Sequence, residues 1–398
     1  HRVDCVEHVI VIPDAERDTS ATGTISFEDL KSYSDILARS VPEVFKDTLN
    51  HNFVMPFSSG TTGLPKGVCL SHANIVANIL QLDHIEKIGV PSDYTVISPL
   101  PFFHIYGMVV SSLYSAYIGN TLVTMSKKFD LEVFCSAVEK YRPDRAHLVP
   151  PIMLGLAKHP VVLKYDLKSI KTIISAAAPL SSDMEKEVTK RFEVNIKQGW
   201  GMSELSPLGT LSCDATAKSG SVGPLIGSTV AKIIDTETQK SLGPGKTGEL
   251  FIKGPQLMSG YWNAPEKTAE TITRDGWLKT GDVGYFDDDH YFHVTDRMKE
   301  LIKFNGYPVA PAEIEALLLT HPSIQDAAVI AIEDEENGEH PRAYIVQKDG
   351  HVCSEEEIVE WARNRLSPQK HLRGGVEFRD TIPKSASGKI LRRILKEE

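Results

Sequence analysis

Runs rich in β-branched residues alternate with helical runs along the first half of the chain, and this alternation constrains the fold more than any other feature. Residues 8–13 (HVIVIP), 95–100, 121–125, 146–149 and 170–176 read as strands. Residues 73–88 and 130–141 carry helical periodicity between them, and a helix starts near Ser182, where Ser182-x-x-Glu185 has capping-box spacing. Strands alternating with helices over this length predict an α/β fold with a large layered domain and a mostly parallel sheet. From 219 to 294 glycines recur and helices thin out, which predicts a β-rich subdomain with Asp287-Asp288-Asp289 at a hairpin tip. A small α+β unit follows, with a helix at 312–319, strands at 327–332 and 343–347, and a helix running from Ser354-x-x-Glu357 to about 366. A basic stretch, 384–396, closes the chain. The expected division is 1–296 for the large domain, including the subdomain at 219–296, and 297–398 for a small, mobile C-terminal domain.

Charge closes off other classes. The 398 residues hold 43 Lys+Arg against 53 Asp+Glu, a net charge of −10. That argues against a whole-surface nucleic-acid binder but leaves room for a local basic patch around an anion. The five cysteines are odd in number, scattered and never spaced CxxC, which speaks against a disulfide framework or a zinc module and fits a reducing compartment. Residues 105–126 are free of charge and long enough to span a membrane, yet Gly107, Gly119, Asn120 and several hydroxyls favour a buried helix followed by a buried strand. No membrane insertion is expected. The chain opens on His1 without a basic-then-apolar leader, so no secretory signal is expected and the natural start should lie upstream. The expected location is cytoplasmic. A peroxisomal one stays open, although the last residues are Lys396-Glu397-Glu398 rather than an SKL-type ending.

The densest chemistry lies in Ser58-Ser59-Gly60-Thr61-Thr62-Gly63-Leu64-Pro65-Lys66-Gly67. Three glycines permit close backbone approach, four hydroxyls supply donors and Lys66 supplies charge, a set suited to polyphosphate. It departs from the GxxxxGK[ST] nucleotide loop, because Lys66 follows Pro65 and Gly67 stands where a hydroxyl residue would.

With Val68 added, this segment resembles the phosphate-loop signature of the adenylate-forming acyl-activating superfamily, and later segments agree in order and spacing. They are Pro101–Gly107 (PFFHIYG), Ser175–Leu180 (SAAAPL), Gly199–Glu204 (GWGMSE), Thr280-Gly281-Asp282, Asp296–Glu300 (DRMKE) and Pro383–Lys389 (PKSASGK). The resemblance runs from Phe53 to Leu395 and is nearest to the 4-coumarate–CoA ligase and luciferase-like acyl-CoA synthetases. It implies an ATP-dependent ligase that first joins a carboxylate to AMP and then passes the acyl group to coenzyme A.

The same resemblance implies roles for single residues. Ser58, Ser59, Gly60, Thr61, Thr62, Gly63 and Lys66 would grip the β- and γ-phosphates. Ala177 and the turn of Gly199, Trp200, Gly201, Met202 and Ser203 would hold adenine and the α-phosphate, with Trp200 in place of the usual Tyr or Phe and Ser203 in place of Thr. Asp282 and Arg297 would hold the ribose, and Glu204 would be the Mg²⁺ carboxylate, a hard ligand for a hard cation. Lys389 would bridge the substrate carboxylate and the α-phosphate. Lys299 would be the hinge about which the small domain turns, and Lys303 the lysine of the thioester-forming arrangement. His104 would gate acyl and pantetheine access, while Tyr106, Ala176, Gly201, Pro207 and Leu208 would line the acyl pocket.

Asn305 and Pro308 depart from the family pattern in the Lys303 segment, where a second Lys and a Gln are usual, and Pro308 lacks a backbone donor. The expected partners are an aromatic or fatty carboxylic acid, ATP and CoA, with no nucleic acid and a monomer or weak dimer as the unit. Alternatives are a luciferase-like oxygenase, an adenylation enzyme loading a carrier protein, or a non-catalytic nucleotide-binding remnant.

Overall fold

The computed structural model describes residues 9–11, 24–26, 49, 51–58, 65–88, 93–125, 129–348, 350–385 and 388–397. The chain divides into two compact units, residues 1–47 and 48–398. In the first, strands Val9–Val11 and Thr24–Ser26 pair in parallel.

The second unit is built on a six-stranded sheet whose spatial order is Leu208–Leu211, Asn195–Gly201, Thr172–Ser175, Arg145–Leu148, Thr95–Ser98 and Thr121–Thr124. Four of its pairings are parallel and only the Asn195–Gly201 with Leu208–Leu211 pairing is antiparallel. Arg145–Leu148 and Thr172–Ser175 are buried at every position, as strands covered on both faces must be. Helices His72–Glu86, Leu131–Tyr141 and Ser182–Phe192 follow the expected alternation, the second capped by Asp130 accepting from Val133 N.

Three expectations need correction. The strand at 121–124 is not buried: it closes the edge of the sheet, pairs on one side only, and leaves Thr121 and Thr124 exposed. The preceding helix is π-helical over Tyr106–Leu113 before it tightens to α at Tyr114–Ile118. The cap of the 182–192 helix is Ser181, which accepts from Met184 N. Glu185 is therefore released from capping and turns inward, where it accepts from Gln198, Ser219 and Gly220 N.

A five-stranded antiparallel sheet follows in the order Ser241–Leu242, Val230–Ile234, Gly248–Lys253, Leu278–Phe286, Phe292–Arg297. Its last hairpin turns at Asp287, whose carboxylate takes Lys218 at 2.6 Å and His293 at 3.2 Å and also accepts from Asp289 N and Tyr291 N. In the same hairpin Asp282 lies opposite Arg297. A further small sheet pairs Lys66–Ser71 with Gly260–Tyr261 and Asn52–Val54.

Past Arg297 the chain forms a separate core around Ile302, Val309, Ile314, Leu318, Val329 and Ile345. Strands Ile324–Asp334 and Gly338–Gln347 form its central hairpin, and helix Glu355–Arg363 starts at the expected Ser354 box with both reciprocal bonds made. Arg392 opens the terminal helix Arg392–Glu397 and reaches Glu300 at 2.8 Å, Glu315 at 2.7 Å and the Val329 carbonyl at 3.1 Å.

Candidate active site

The strand Asn195–Gly201 and the hairpin of Leu278–Phe286 with Phe292–Arg297 bring their ends to one cleft of about 420 Å³, and the segment around Lys389 reaches it from the C-terminal core. Ala177, Gly199, Trp200, Gly201, Asp282, Arg297 and Lys389 all line it, so seven of the residues singled out from sequence meet in one place. Gly388, beside Lys389, and Pro151 of the helix Pro150–Lys158 share the lining.

Local chemistry explains each position. Trp200 Nε1 donates to Asp282 Oδ2 at 2.8 Å, and Arg297 Nε lies 3.3 Å from Asp282 Oδ1. Burial pushes the Asp282 carboxyl up, while Arg297, Trp200 and Lys389 pull it back. Burial and the nearby Arg297 hold the Lys389 ammonium below the usual lysine range, and Glu300 and Asp282 oppose that shift. A cation with a depressed pKa in a cleft of opposed charges is a candidate functional group. Gly201 admits no side chain: a Cβ there would lie 2.0 Å from the Pro207 carbonyl oxygen. Ala177 sits at φ 76, a conformation that costs a non-glycine residue about 1–2 kcal/mol and turns the wall of the cleft sharply after the Thr172–Ser175 strand.

A second group adjoins this one. Glu204 is buried and accepts from Tyr261 Oη at 2.8 Å, and Lys66 Nζ stands 4.7 Å from the centre of the same tyrosine ring. Ser58 pairs with Lys66 across a hairpin, so the two ends of the Gly/Thr segment are held together. Ser59, Gly60, Thr61, Thr62 and Gly63 lie outside the described residues. Met202 and Ser203 connect the two groups, Met202 N donating to the Pro207 carbonyl at 2.9 Å and Ser203 opening the short helical turn that carries Glu204. Tyr261, which joins the phosphate-loop lysine to the acidic residue, carried no motif signal, because its role arises only from pairing Gly260–Tyr261 with Lys66–Ser71.

The remaining residues sit apart from the lining of the cleft. His104 is half-buried at the start of the π-helix. Its Nδ1 accepts from Tyr106 N at 3.3 Å and burial holds its pKa down, so it is neutral with the proton on Nε2. Tyr106, Ala176 and Leu208 belong to one hydrophobic cluster, with Tyr106 Oη donating to the Ile174 carbonyl at 2.9 Å and Leu208 opposite Gly201. Lys299 is exposed in the turn after Arg297, and Lys303 is exposed on the Ile302–Phe304 strand, paired with Pro308. Lys389 lines the cleft and Lys303 does not.

An aromatic, an acid, an arginine and a half-buried lysine around one cleft are groups able to bind a nucleotide and neutralise charge at its phosphates. The chain belongs to the AMP-binding enzyme family: that family's model matches residues 2–262, and the AMP-binding enzyme C-terminal domain matches residues 313–389. It is 45% identical over 361 residues to "Probable 4-coumarate--CoA ligase 1" of Dictyostelium discoideum, covering 90% of this chain and 65% of that protein. It is 42% identical over 400 residues to "Probable 4-coumarate--CoA ligase 2" of the same organism, covering 98% and 72%. The chain therefore spans about two thirds of the length of these curated relatives. ATP-bound MatB from Rhodopseudomonas palustris superposes with a TM-score of 0.83 at 28% identity, over 94% of this chain and 74% of that one. Among the described residues no helix is long and apolar enough to cross a membrane.

Proposed function

We propose that the protein is an ATP-dependent acid–CoA ligase acting on an aromatic, 4-coumarate-like or fatty carboxylic acid, with the lobes meeting at Arg297. The observation that carries this reading is the single cleft whose lining brings Trp200, Asp282 and Arg297 together with Lys389. In the first step a carboxylate oxygen attacks the α-phosphorus of ATP, a P–O bond to pyrophosphate breaks, and an acyl-adenylate forms. Asp282 and Arg297 hold the ribose, Trp200 and Ala177 the base, and Ser58 to Gly63 with Lys66 the outer phosphates. Lys389 places its charge between two anions that otherwise repel, which is the main barrier this chain has to lower. Glu204, with one oxygen engaged by Tyr261, would hold Mg²⁺, which supplies further charge neutralisation at the phosphates.

In the second step the thiol of CoA attacks the acyl carbonyl, AMP departs and the thiol proton is lost. Lys303 serves this step after the small lobe turns about Lys299, and neutral His104 gates the approach of acyl group and thiol. Tyr106, Ala176, Gly201, Pro207 and Leu208 bound the acyl group.

Full-length protein is expected to catalyse ATP–pyrophosphate exchange with at least one acid in a panel of cinnamic and fatty acids, and to release AMP when CoA is added. Absence of exchange across the panel returns the chain to a non-catalytic nucleotide binder. Lys303→Ala should leave the exchange rate within about twofold while slowing thioester formation from supplied acyl-adenylate by roughly 10²-fold, the scale of one lost preorganised charge. Loss in exchange with the second step intact contradicts the assignment.

A further inference from the structure

Trp200 is tied to Asp282 as firmly as to the cleft wall. Its indole N–H donates to Asp282 Oδ2 at 2.8 Å, while Arg297 Nε stands 3.3 Å from Oδ1, so both oxygens of the buried carboxylate are fixed in direction. The six-membered half of the indole is fixed in turn. It lies so close over Gly209 that a Cβ at 209 would come within 2.6 Å of Trp200 Cζ3, and the ring also packs in the cluster of Val68, Leu205 and Ile252. The indole therefore has one face and edge clamped by the core and its N–H aimed at the acid. Phenylalanine or tyrosine in this place offers the same kind of stacking face but no donor on that edge of the ring.

We propose that Trp200 is a positioning residue for the ribose: its N–H orients the Asp282 carboxylate so that the lone pairs left over face the vicinal hydroxyls of ATP and AMP. This rests on Asp282 as the ribose acceptor and assigns its preference for a vicinal diol to the Trp200–Asp282 pair rather than to the carboxylate alone. An ionised carboxylate offers about four acceptor sites, and the two contacts above leave about two for the two hydroxyls. The charged groups around Asp282 are Arg297 and Lys389, which favour its ionised form, and Glu300 and Glu249, which oppose it. Removing the N–H removes one of the groups that counter the upward push of burial on the Asp282 carboxyl.

The test uses the full-length protein and calorimetric titration with AMP and with 2′,3′-dideoxy-AMP, which keeps the base and phosphate but lacks the diol. The parent should prefer AMP, and Asp282→Asn should abolish that preference. Trp200→Phe and Trp200→Tyr should each compress it about tenfold, the scale of one hydrogen bond to a charged group, while binding dideoxy-AMP within about threefold of the parent. Both variants should also lose AMP affinity on the acid side at higher pH than the parent does. The larger tyrosine ring keeps the question open to measurement if the phenylalanine variant does not fold. Equal weakening of both ligands in the Trp200 variants overturns the proposal, since Trp200 would then act by stacking alone. A parent without any preference for AMP overturns the ribose reading of Asp282 itself, a separate failure.

Discussion

Lys389→Ala is expected to slow acyl-adenylate formation by 10²–10³-fold or more while leaving thioester formation from supplied acyl-adenylate within about threefold of the parent. The lysine is half-buried in the lining of the cleft it shares with Asp282 and Arg297, where its charge is only partly screened by water. It meets the reaction only while two anions approach each other. Once the adenylate exists, that repulsion has been overcome and the lysine has little left to stabilise. Single-turnover assays of each step separate the two effects, and equal losses in both would mean that Lys389 supports the fold rather than the chemistry.

The same residue fixes a pH dependence. The reaction needs the ammonium form, which exists below the lysine's pKa, and burial with Arg297 holds that pKa under the usual value. Adenylation should therefore fall on the alkaline side at a lower pH than an ordinary lysine would give. Glu300 connects this behaviour to the rest of the small lobe. It pairs with Arg392 at 2.8 Å, and Arg392 also holds Glu315, whose carboxyl burial pushes up to about 7.

What the sequence made legible follows from where the chemistry is written. Trp200, Asp282, Arg297 and Lys389 sit in short segments whose residue types answer to a nucleotide, and they could be named without knowing how the chain brings them together. The parallel sheet was legible because its strands, such as Thr95–Ser98 (TVIS) and Thr172–Ser175 (TIIS), are short runs rich in β-branched residues set between helical runs. The residues that escaped are those defined by contact across the fold. Tyr261 acquires meaning only beside Lys66 and Glu204, and Arg392 only against Glu300 and Glu315, which come from different elements. Glu185 shows the opposite failure. Its spacing from Ser182 fits a capping box, but a buried carboxylate that can satisfy Gln198, Ser219 and Gly220 N gains more there than at an exposed helix end. The left-handed Ala177 left no trace either, because alanine gives no hint of positive φ.

Lys197→Met should cost the large lobe roughly 3–5 kcal/mol, read as a lower urea midpoint with unchanged slope. The Lys197 side chain is fully buried two residues before Gly199. It lies 2.5 Å from Glu86 Oε1 and 2.7 Å from Asp214 Oδ1, and Arg145 closes the ring at 2.7 Å to Glu86 and 2.8 Å to Asp214. Two acids and two bases thus balance within the core, joining the His72–Glu86 helix to the two strands that carry Arg145 and Lys197. Methionine fills nearly the same volume, so the loss isolates charge from packing: three charges remain, two acids against Arg145, and the Glu86 carboxylate is buried away from water. Adding Glu86→Gln restores neutrality with Asp214 and Arg145, and the double variant should be more stable than Lys197→Met alone. A double variant that is less stable would mean that Glu86 acts through its helix rather than through the lysine. The acid side carries a second signature. Burial disfavours the Asp214 anion, but Arg145 and Lys197 outweigh it and hold the carboxyl well below its usual range. That stability is present above the carboxyl's unfolded pKa and is lost only as pH falls through the depressed folded value. Without Lys197 the folded value rises toward the unfolded one, and acid unfolding should begin at higher pH than in the parent.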